Sequence, residues 1–322
     1  IMTAPGRPGT ALVIGEALVD VVIRPNETPT DIPGGSPANV ALGLARLGRD
    51  AELDCWIGTD ARGRAVRAHL EADGVRLTPG SDGAARTSTA EATIGPDGGA
   101  SYFFNLSWEP PYPTRAEGAE PPVLVHTGSI AAILSPGAAM VEKVLADFRA
   151  TSTVCYDPNA RPQLMGEPAA ARAIVERLVA LADLVKCSDE DIAWFYDVDA
   201  SRDSVLEDVL RGWLALGPAV VVVTRGKKGA LALTASGLRL EVPADPSVVV
   251  ADTVGAGDSF MGGLEDGLWS EGLVGADRRE ALHAIDTTTL ERVVRHAATI
   301  ADITVSRAGA NPPTRAEIDM MG

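Results

Sequence analysis

The stretch DTVGAGDSFMGG, Asp252 to Gly263, holds the residue types best placed for chemistry. The β-branched run Val248 to Val250 ahead of it reads as a strand, and the residues after Gly257 read as a helix. Gly255 and Gly257 permit positive φ and let bare N–H groups approach a ligand. The first N–H groups of a helix have no internal partner and sit at the positive end of its dipole, so this turn suits an anion. Asp258 stands in the same turn. A carboxylate there repels phosphate and is a poor choice for binding alone. It makes sense as a base that takes the proton from a hydroxyl attacking a phosphoryl group. The alternative is an ordinary glycine helix cap with Asp258 as N-cap.

A second stretch, GGSPANVALGLARLG from Gly34 to Gly48, opens on two glycines. Val40, Leu44 and Leu47 fall at helical spacing behind Asn39, and Gly48 stops the helix. Asn39 in the first turn offers a donor and an acceptor to hydroxyl groups. An ordinary glycine turn and helix start would look the same. Asp20 interrupts an apolar run and reads either as a ligand or as a surface residue on a strand face.

Elements must hold these stretches together. Ala11 to Ile14 reads as a strand that Gly15 to Ile23 continues, and Arg24 to Pro33 as a loop or lid edge. Leu53 to Ile57 reads as a strand and Arg62 to Ala72 as a helix. Thr87 to Ile94 and Ala100 to Phe104, around the turn Gly95 to Gly99, predict a hairpin. It concentrates Tyr102, Phe103 and Phe104 in a chain that is 4% aromatic. A hairpin cannot hold its own core, so it is read as a lid over a site, a dimer surface, or an edge of the main sheet.

From Val123 strands and helices alternate. Strands are expected at Val123 to Ser129, Thr153 to Arg161, Asp183 to Ser188 and Ala219 onward. Helices are expected at Gly137 to Arg149, Ala169 to Ala182, Ser204 to Leu216 and Asp286 to Val305. This rhythm predicts an α/β fold with a doubly wound, mostly parallel sheet, helices on both faces, and a small β lid. Ligands in such sheets bind beyond the carboxyl ends of the strands. The polar clusters sit at those ends: Asp157, Asn159 and Arg161; Lys186 and Ser188; Thr224 to Gly229; Asp252 to Asp258.

Composition excludes several classes. The 322 residues carry 28 basic and 44 acidic side chains, a net charge of −16. That argues against nucleic acid and against an anionic membrane as partners. The three cysteines, Cys55, Cys155 and Cys187, show no CxxC spacing, so neither a disulfide framework nor a zinc site is expected. There is no long apolar span and no basic-then-apolar leader, so a cytoplasmic chain is expected. No Walker A fits, because Lys228 follows Lys227. No GxGxxG follows the first strand, where Gly15 stands alone.

The two glycine stretches, in this order, resemble the two signatures of the PfkB (ribokinase-like) sugar kinases. GGSPANVALGLARLG, with Gly58 following, fits the amino-terminal signature. DTVGAGDSFMGGL fits the second, except that Glu265 stands where a small or apolar residue is usual and is expected to point off its helix. The resemblance covers 11–313 as one kinase domain, with lid insertions at 16–34 and 86–113. It implies transfer of the γ-phosphoryl of ATP to a sugar hydroxyl. Asp258 matches the base, and Gly255, Ala256 and Gly257 match the anion hole. Asp20, Gly34, Gly35 and Asn39 match sugar ligands. Lys186, Ser188, Thr224, Gly226 and Gly229 lie where the nucleotide is held, and Ala297 to Gly309 resembles an adenine wall. Asp252, Val254 and Gly309 resemble a monovalent-cation site, with potassium as the ion. Magnesium is implied with ATP, held by phosphates and water. The family's Asn-x-x-Glu is replaced by SDED, leaving Ser188 with Glu190 or Asp191 as substitutes, or a solvated helix start.

YDPNAR (Tyr156 to Arg161), VKCSDED and VSRAGANPP look most like the fructokinase branch. D-fructose is therefore the expected substrate, with 2-keto-3-deoxygluconate or ribose as alternatives and a non-catalytic sugar-binding regulator as the different class. Arg161 is expected to neutralise phosphate charge, or to pair with Asp157. The lid implies a homodimer as one use of its aromatic surface.

Overall fold

The computed structural model describes residues 8–24, 27–94, 100–115 and 118–320. Thirteen strands fall in chain order among them: β1 Thr10–Ile14, β2 Leu18–Ile23, β3 Thr30–Gly34, β4 Asp50–Asp54, β5 Arg76–Leu77, β6 Thr89–Ile94 and β7 Ala100–Asn105, then β8 Leu124–Gly128, β9 Thr153–Asp157, β10 Leu184–Ser188, β11 Val220–Thr224, β12 Ala230–Thr234 and β13 Arg239–Val242. The α-helices are α1 Ser36–Arg46, α2 Ala61–Ala72, α3 Gly137–Phe148, α4 Pro162–Met165, α5 Pro168–Leu181, α6 Asp189–Tyr196, α7 Asp203–Leu214, α8 Ala256–Ser270, α9 Arg279–His283, α10 Thr287–Val305 and α11 Arg315–Asp319.

Nine strands form one sheet in the order β13-β12-β11-β10-β9-β8-β1-β4-β5. It is parallel except where β12 reverses against β11 and β13. Alternate side chains of β1 serve opposite cores. Ala11 and Val13 pack with Val40, Met261 and Val294 of α1, α8 and α10. Leu12 and Ile14 pack with Val141, Val175 and Leu210 of α3, α5 and α7. Apolar residues on both faces of a strand are what helices on both sides demand. The chain winds outward from β1 in two directions, to β4 on one side and β8 on the other. That reversal opens a crevice beyond the carboxyl ends of β1 and β8. The ends are level: Ile14 lies beside Thr127, Gly128 beside Asp157, and Ser188 beside Thr224.

The remaining four strands form a separate sheet, β3-β2-β6-β7, over that crevice. The run expected as one strand from Ala11 to Ile23 is therefore two strands in two sheets. Gly15 to Ala17 is the crossing, and a Cβ on Gly15 would stand 2.2 Å from Pro37 Cγ. The stretch Arg24 to Pro33 leads into the lid's edge strand β3, which runs one residue beyond it and pairs antiparallel with β2. The hairpin of β6 and β7 is antiparallel, and its expected turn, Gly95 to Gly99, lies outside the described residues. The strand expected at Leu53 to Ile57 lies three residues earlier, at Asp50–Asp54. There the Asp50–Arg76 and Glu52–Arg76 pairs tolerate acidic residues at a sheet end.

One expectation fails outright. Val248 to Val250 is irregular chain with Val249 81% exposed, so a loop rather than a strand leads to the Asp252 turn. Among the described residues no partner strand lies beside it, and β-branching alone does not create one. The loop is fixed from the other side: the N–H groups of Ala251 and Asp252 both bond the carbonyl of Val305.

Helix α8 is the centre of the molecule, buried from Asp258 to Trp269. The glycines of its sequence explain its depth. A Cβ on Gly263 would stand 2.7 Å from Ala297 Cα, and one on Gly267 3.1 Å from Val293 Cγ1. These i, i+4 positions let α8 and α10 approach closely. The buried carboxylate of Asp266 on α8 is ringed by Arg49 at 2.7 Å, Arg315 at 2.5 Å and His296 at 2.6 Å. Among the described residues no helix is long and apolar enough to cross a membrane.

Candidate active site

The first turn of α8 faces a cleft of about 710 Å³. Gly255 is its N-cap at φ 75, and a Cβ there would stand 2.6 Å from that of Ala310. Of the three residues expected to offer N–H groups to an anion, Ala256 instead donates to the Thr253 carbonyl at 3.2 Å. Gly257 lies at the second helical position, where no carbonyl of the helix can reach its N–H. Asp258 follows, buried, with both carboxylate oxygens occupied. Ser36 Oγ donates to Oδ1 at 2.7 Å, and Asn39 Nδ2 donates to Oδ2 at 2.8 Å. Asn159 Nδ2 donates to Ser36 Oγ at 2.8 Å and reaches Asp258 Oδ1 at 3.4 Å. Donors of this kind fix the carboxylate's direction, as a general base requires. Thus α1 supplies two of the groups that orient the base on α8, and the two glycine stretches meet.

The opposite wall comes from the lid and the β1 end. Asp20 of β2 faces the cleft with Leu18, Ala90, Tyr102 and Phe104. Burial holds its carboxyl above the usual value while the Arg161 guanidinium pulls it back. A Cβ on Gly34 would stand 2.5 Å from Asp20 Oδ2, and one on Gly35, at φ 111, 2.4 Å from the Glu16 carbonyl. Both glycines are therefore room for neighbours. Arg161 follows β9, with Nη1 bonded to the Asn159 side chain at 2.7 Å. It does not pair with Asp157. That carboxylate instead accepts from Lys186 Nζ at 3.0 Å, both groups being buried.

Lys186 has a second neighbour. Its Nζ would stand 2.9 Å from a Cβ on Gly257, so its ammonium underlies the anion turn. Burial works against its charge, but Asp157, Asp191 and Asp258 outweigh burial and hold the ammonium above its ordinary value. Ser188 and Asp191 form a capping box for α6, with Asp191 Oδ1 also accepting from the Ala160 N–H at 2.8 Å. Asp191 so anchors the Asn159 turn, while Glu190 is exposed. Thr224 donates to the Cys187 carbonyl, and the 3-10 turn Gly226–Lys228 with Gly229 continues along the strand ends, outside the lining of the cleft. Asp252 ties two loops together: Oδ1 accepts from Val254 N–H at 3.0 Å and Oδ2 from Gly309 N–H at 2.8 Å. Those two N–H groups hold its carboxyl below the usual range.

The cleft thus gathers Asp20, Gly35, Asn39, Arg161, Val254, Gly255, Gly257 and Asp258. Gly34 and Ala256 stand just behind it. Sequence reasoning passed over Ser36, Glu16 and Ser129, which also line it. Burial pushes Glu16 up to about 7 against hydrogen bonds from Ser129 and the Ala131 N–H. Among the described residues three non-glycine positions have positive φ, and two of them, Ser129 at 54 and Asn159 at 40, border this cleft. Such conformations gather at functional sites. An asparagine after a proline at a strand end was the available signal for the second, since Asn tolerates that region.

Glu265 overturns its expectation. It does not point off the helix but inward, fully buried, with Oε1 2.7 Å from His126 Nδ1 of β8. Burial opposes the charge on His126, and the neighbouring Glu265, Asp157 and Asp258 carboxylates prevail, so the imidazole is held above its ordinary value.

A buried carboxylate and a helix N-terminus beside a hydroxyl-lined cleft, at the switch point of a doubly wound sheet, define an enzyme of the phosphoryl-transfer class. Comparison with known proteins agrees. Residues 10–317 match the pfkB family carbohydrate kinase description. A fructokinase of Klebsiella pneumoniae is 33% identical over 270 residues, 82% of this chain and 86% of its own. The chain belongs to the pfkB family of carbohydrate kinases. Among solved structures, a fructokinase with bound ATP from Xylella fastidiosa matches with a TM-score of 0.80 at 24% identity, covering 97% of both chains. A Vibrio cholerae O395 fructokinase with fructose, ADP and potassium bound matches at 0.73 and 26% identity, covering 95% of this chain and 94% of that one. The fold is ribokinase-like.

Proposed function

We propose that this protein is a fructokinase, moving the γ-phosphoryl of ATP to a hydroxyl of D-fructose. The observation that carries this reading is the Asp258 carboxylate, aimed by Ser36 and Asn39 into the cleft beside the Gly257 N–H, which no carbonyl of α8 can reach. A sugar hydroxyl lying against Asp258 loses its proton to that carboxylate as its oxygen attacks the phosphoryl group. Charge developing on the transferred group meets the Gly255 and Gly257 turn, the α8 dipole and, from below, Lys186. Asp20 and Asn39 accept and donate to the remaining hydroxyls, and a carboxylate left unpaired rejects sugars that lack them.

The nucleotide fits along the strand ends from Lys186 and Ser188 to Thr224, Gly226 and Gly229. The buried Asp157 Oδ1, without a partner among the described residues, would hold a water of a magnesium shell, and the ion would neutralise phosphate charge. The Asp252 tie brings the Val254 and Gly309 loops together, an arrangement that suits a potassium ion held by their carbonyls. We read 11–313 as one kinase unit with 16–34 and 86–113 as its lid. The lid's open side, with Ile32 45% and Tyr102 57% exposed, suits closure over sugar or contact with a second copy.

The deciding measurement is ATP consumption with magnesium and potassium on D-fructose, 2-keto-3-deoxygluconate, D-ribose and adenosine, with Asp258→Asn as blank. Turnover on D-fructose far above the others supports the reading. Preference for another sugar overturns the substrate and keeps the kinase. Limited proteolysis within Arg86 to Asn105 is expected to slow when sugar is added, because closure excludes water from the site.

A further inference from the structure

A sugar cleft containing a guanidinium faces a selectivity problem, because Arg161 attracts any sugar that bears a carboxylate. The charged and titratable groups lining this cleft are Glu16, Asp20, Asp258, Arg161 and Tyr102. Asp258 is committed to Ser36 and Asn39. Glu16 has Oε2 bonded to the Ala131 N–H at 3.2 Å, and burial pushes its carboxyl up to about 7. Asp20 differs from both. No hydrogen bond from the described residues reaches its carboxylate, which leaves it free for a ligand, and the charge that acts on it is Arg161, which acts on Glu16 as well. It stands on the lid while Arg161 stands on the β9 end, so the two act across the space a sugar enters. Gly34 leaves Asp20 Oδ2 the room to stay there, since any side chain would collide with it at 2.5 Å.

We infer that Asp20, by opposing Arg161 across the cleft, restricts the site to uncharged sugars and excludes sugar acids. An uncharged sugar meets Asp20 with hydroxyl donors and leaves the pair's charges balanced. A sugar acid brings a second anion against Asp20, and its attraction to Arg161 is spent against that repulsion. Specificity of this kind rests on a repulsive element built against the wrong ligand. The inference rests on the sugar-kinase reading and narrows its substrate class.

Asp20→Asn keeps the shape and one acceptor oxygen while removing the charge. Binding of D-fructose and of 2-keto-3-deoxygluconate is measured by calorimetry without nucleotide, and kcat/KM is measured for both. Affinity and kcat/KM for the sugar acid are expected to rise at least ~10-fold while those for D-fructose fall. The gain should shrink as salt rises and vanish when Arg161→Gln is added. Asp20→Ser must show the same gain, which guards against a fault peculiar to the amide. No gain in sugar-acid binding in either variant overturns the inference, as does a gain that survives the loss of Arg161. Wild-type protein inert towards D-fructose would remove the substrate reading instead, and the sugar-acid binding comparison would still decide this one.

Discussion

Strands β8 to β11 of the nine-stranded sheet are buried on almost every residue, whereas the lid sheet buries Val19 and Val21 and leaves Ile32, Tyr102 and Phe103 exposed. The groups assigned to each sheet differ in the same way. Asp258 and Lys186 sit in the buried body with their partners already in place, at 2.7 to 3.0 Å. Asp20 sits on the lid with no hydrogen bond from the described residues. Chemistry that needs a fixed base is built on the rigid layer, and recognition that must wait for a ligand is built on the layer with little of its own core. A preorganised group loses little on reaction, and an open one gains its partner only when sugar arrives.

Variants can break or sharpen this contrast. The largest effect is expected in the body. His126→Leu takes the imidazole from the buried Glu265, leaving it the weaker Cys155 thiol, and should lower stability by about 3–5 kcal/mol, read by denaturant unfolding. The double change with Glu265→Leu should recover most of that loss, and failure to recover would mean that packing, not charge, is at fault. The pair also carries a pH signature. Because the His126 value is raised when folded, its stabilisation is complete below the ordinary value of 6.5 and is lost as pH rises through the folded value. The wild-type melting temperature should therefore fall on the alkaline side, and the double variant should lack that limb.

Asp258→Asn should lower turnover at least ~100-fold while sugar binding stays near normal. A variant that turns over within a factor of a few would remove Asp258 as the base. Gly255→Ala forces a side chain into φ 75 and against Ala310, so about 1–3 kcal/mol of strain is expected at the anion turn. It should appear as weaker nucleotide binding and a lower melting temperature. The smallest effect belongs to the lid: Arg62 of α2 grips Asp31 of β3 at 2.7 and 3.1 Å, at the surface. Arg62→Ala should cost about 0.2–1 kcal/mol and speed proteolysis of the lid without changing kcat.

The alternating strands and helices after Val123 were legible because each carries its own period and its own apolar run. The lid was only half legible. Its β6 and β7 hairpin showed in two strand runs around a glycine-rich turn, but β2 was indistinguishable from a continuation of β1, since a strand's residues do not record which sheet it joins. Val248 to Val250 misled for the converse reason: β-branched residues favour a strand only where another strand supplies the hydrogen bonds. Ser36 was hidden inside a recognised stretch, because its value lies in the direction its hydroxyl takes when α1 crosses α8.

By itself the chain determined its local punctuation: glycines at Gly35, Gly255 and Gly257, where the backbone is free to turn, and a carboxylate one residue beyond the last of them. These are properties of short segments and survive without knowledge of the fold. Only the tertiary structure decided what those segments face. Residues as distant as Ser36, Asn159 and Asp258 meet because level strand ends and the reversal at β1 bring three loops to one crevice. Glu265 turned inward for the same kind of reason: His126 of β8 waits there, and a buried carboxylate stays only where something pairs with it.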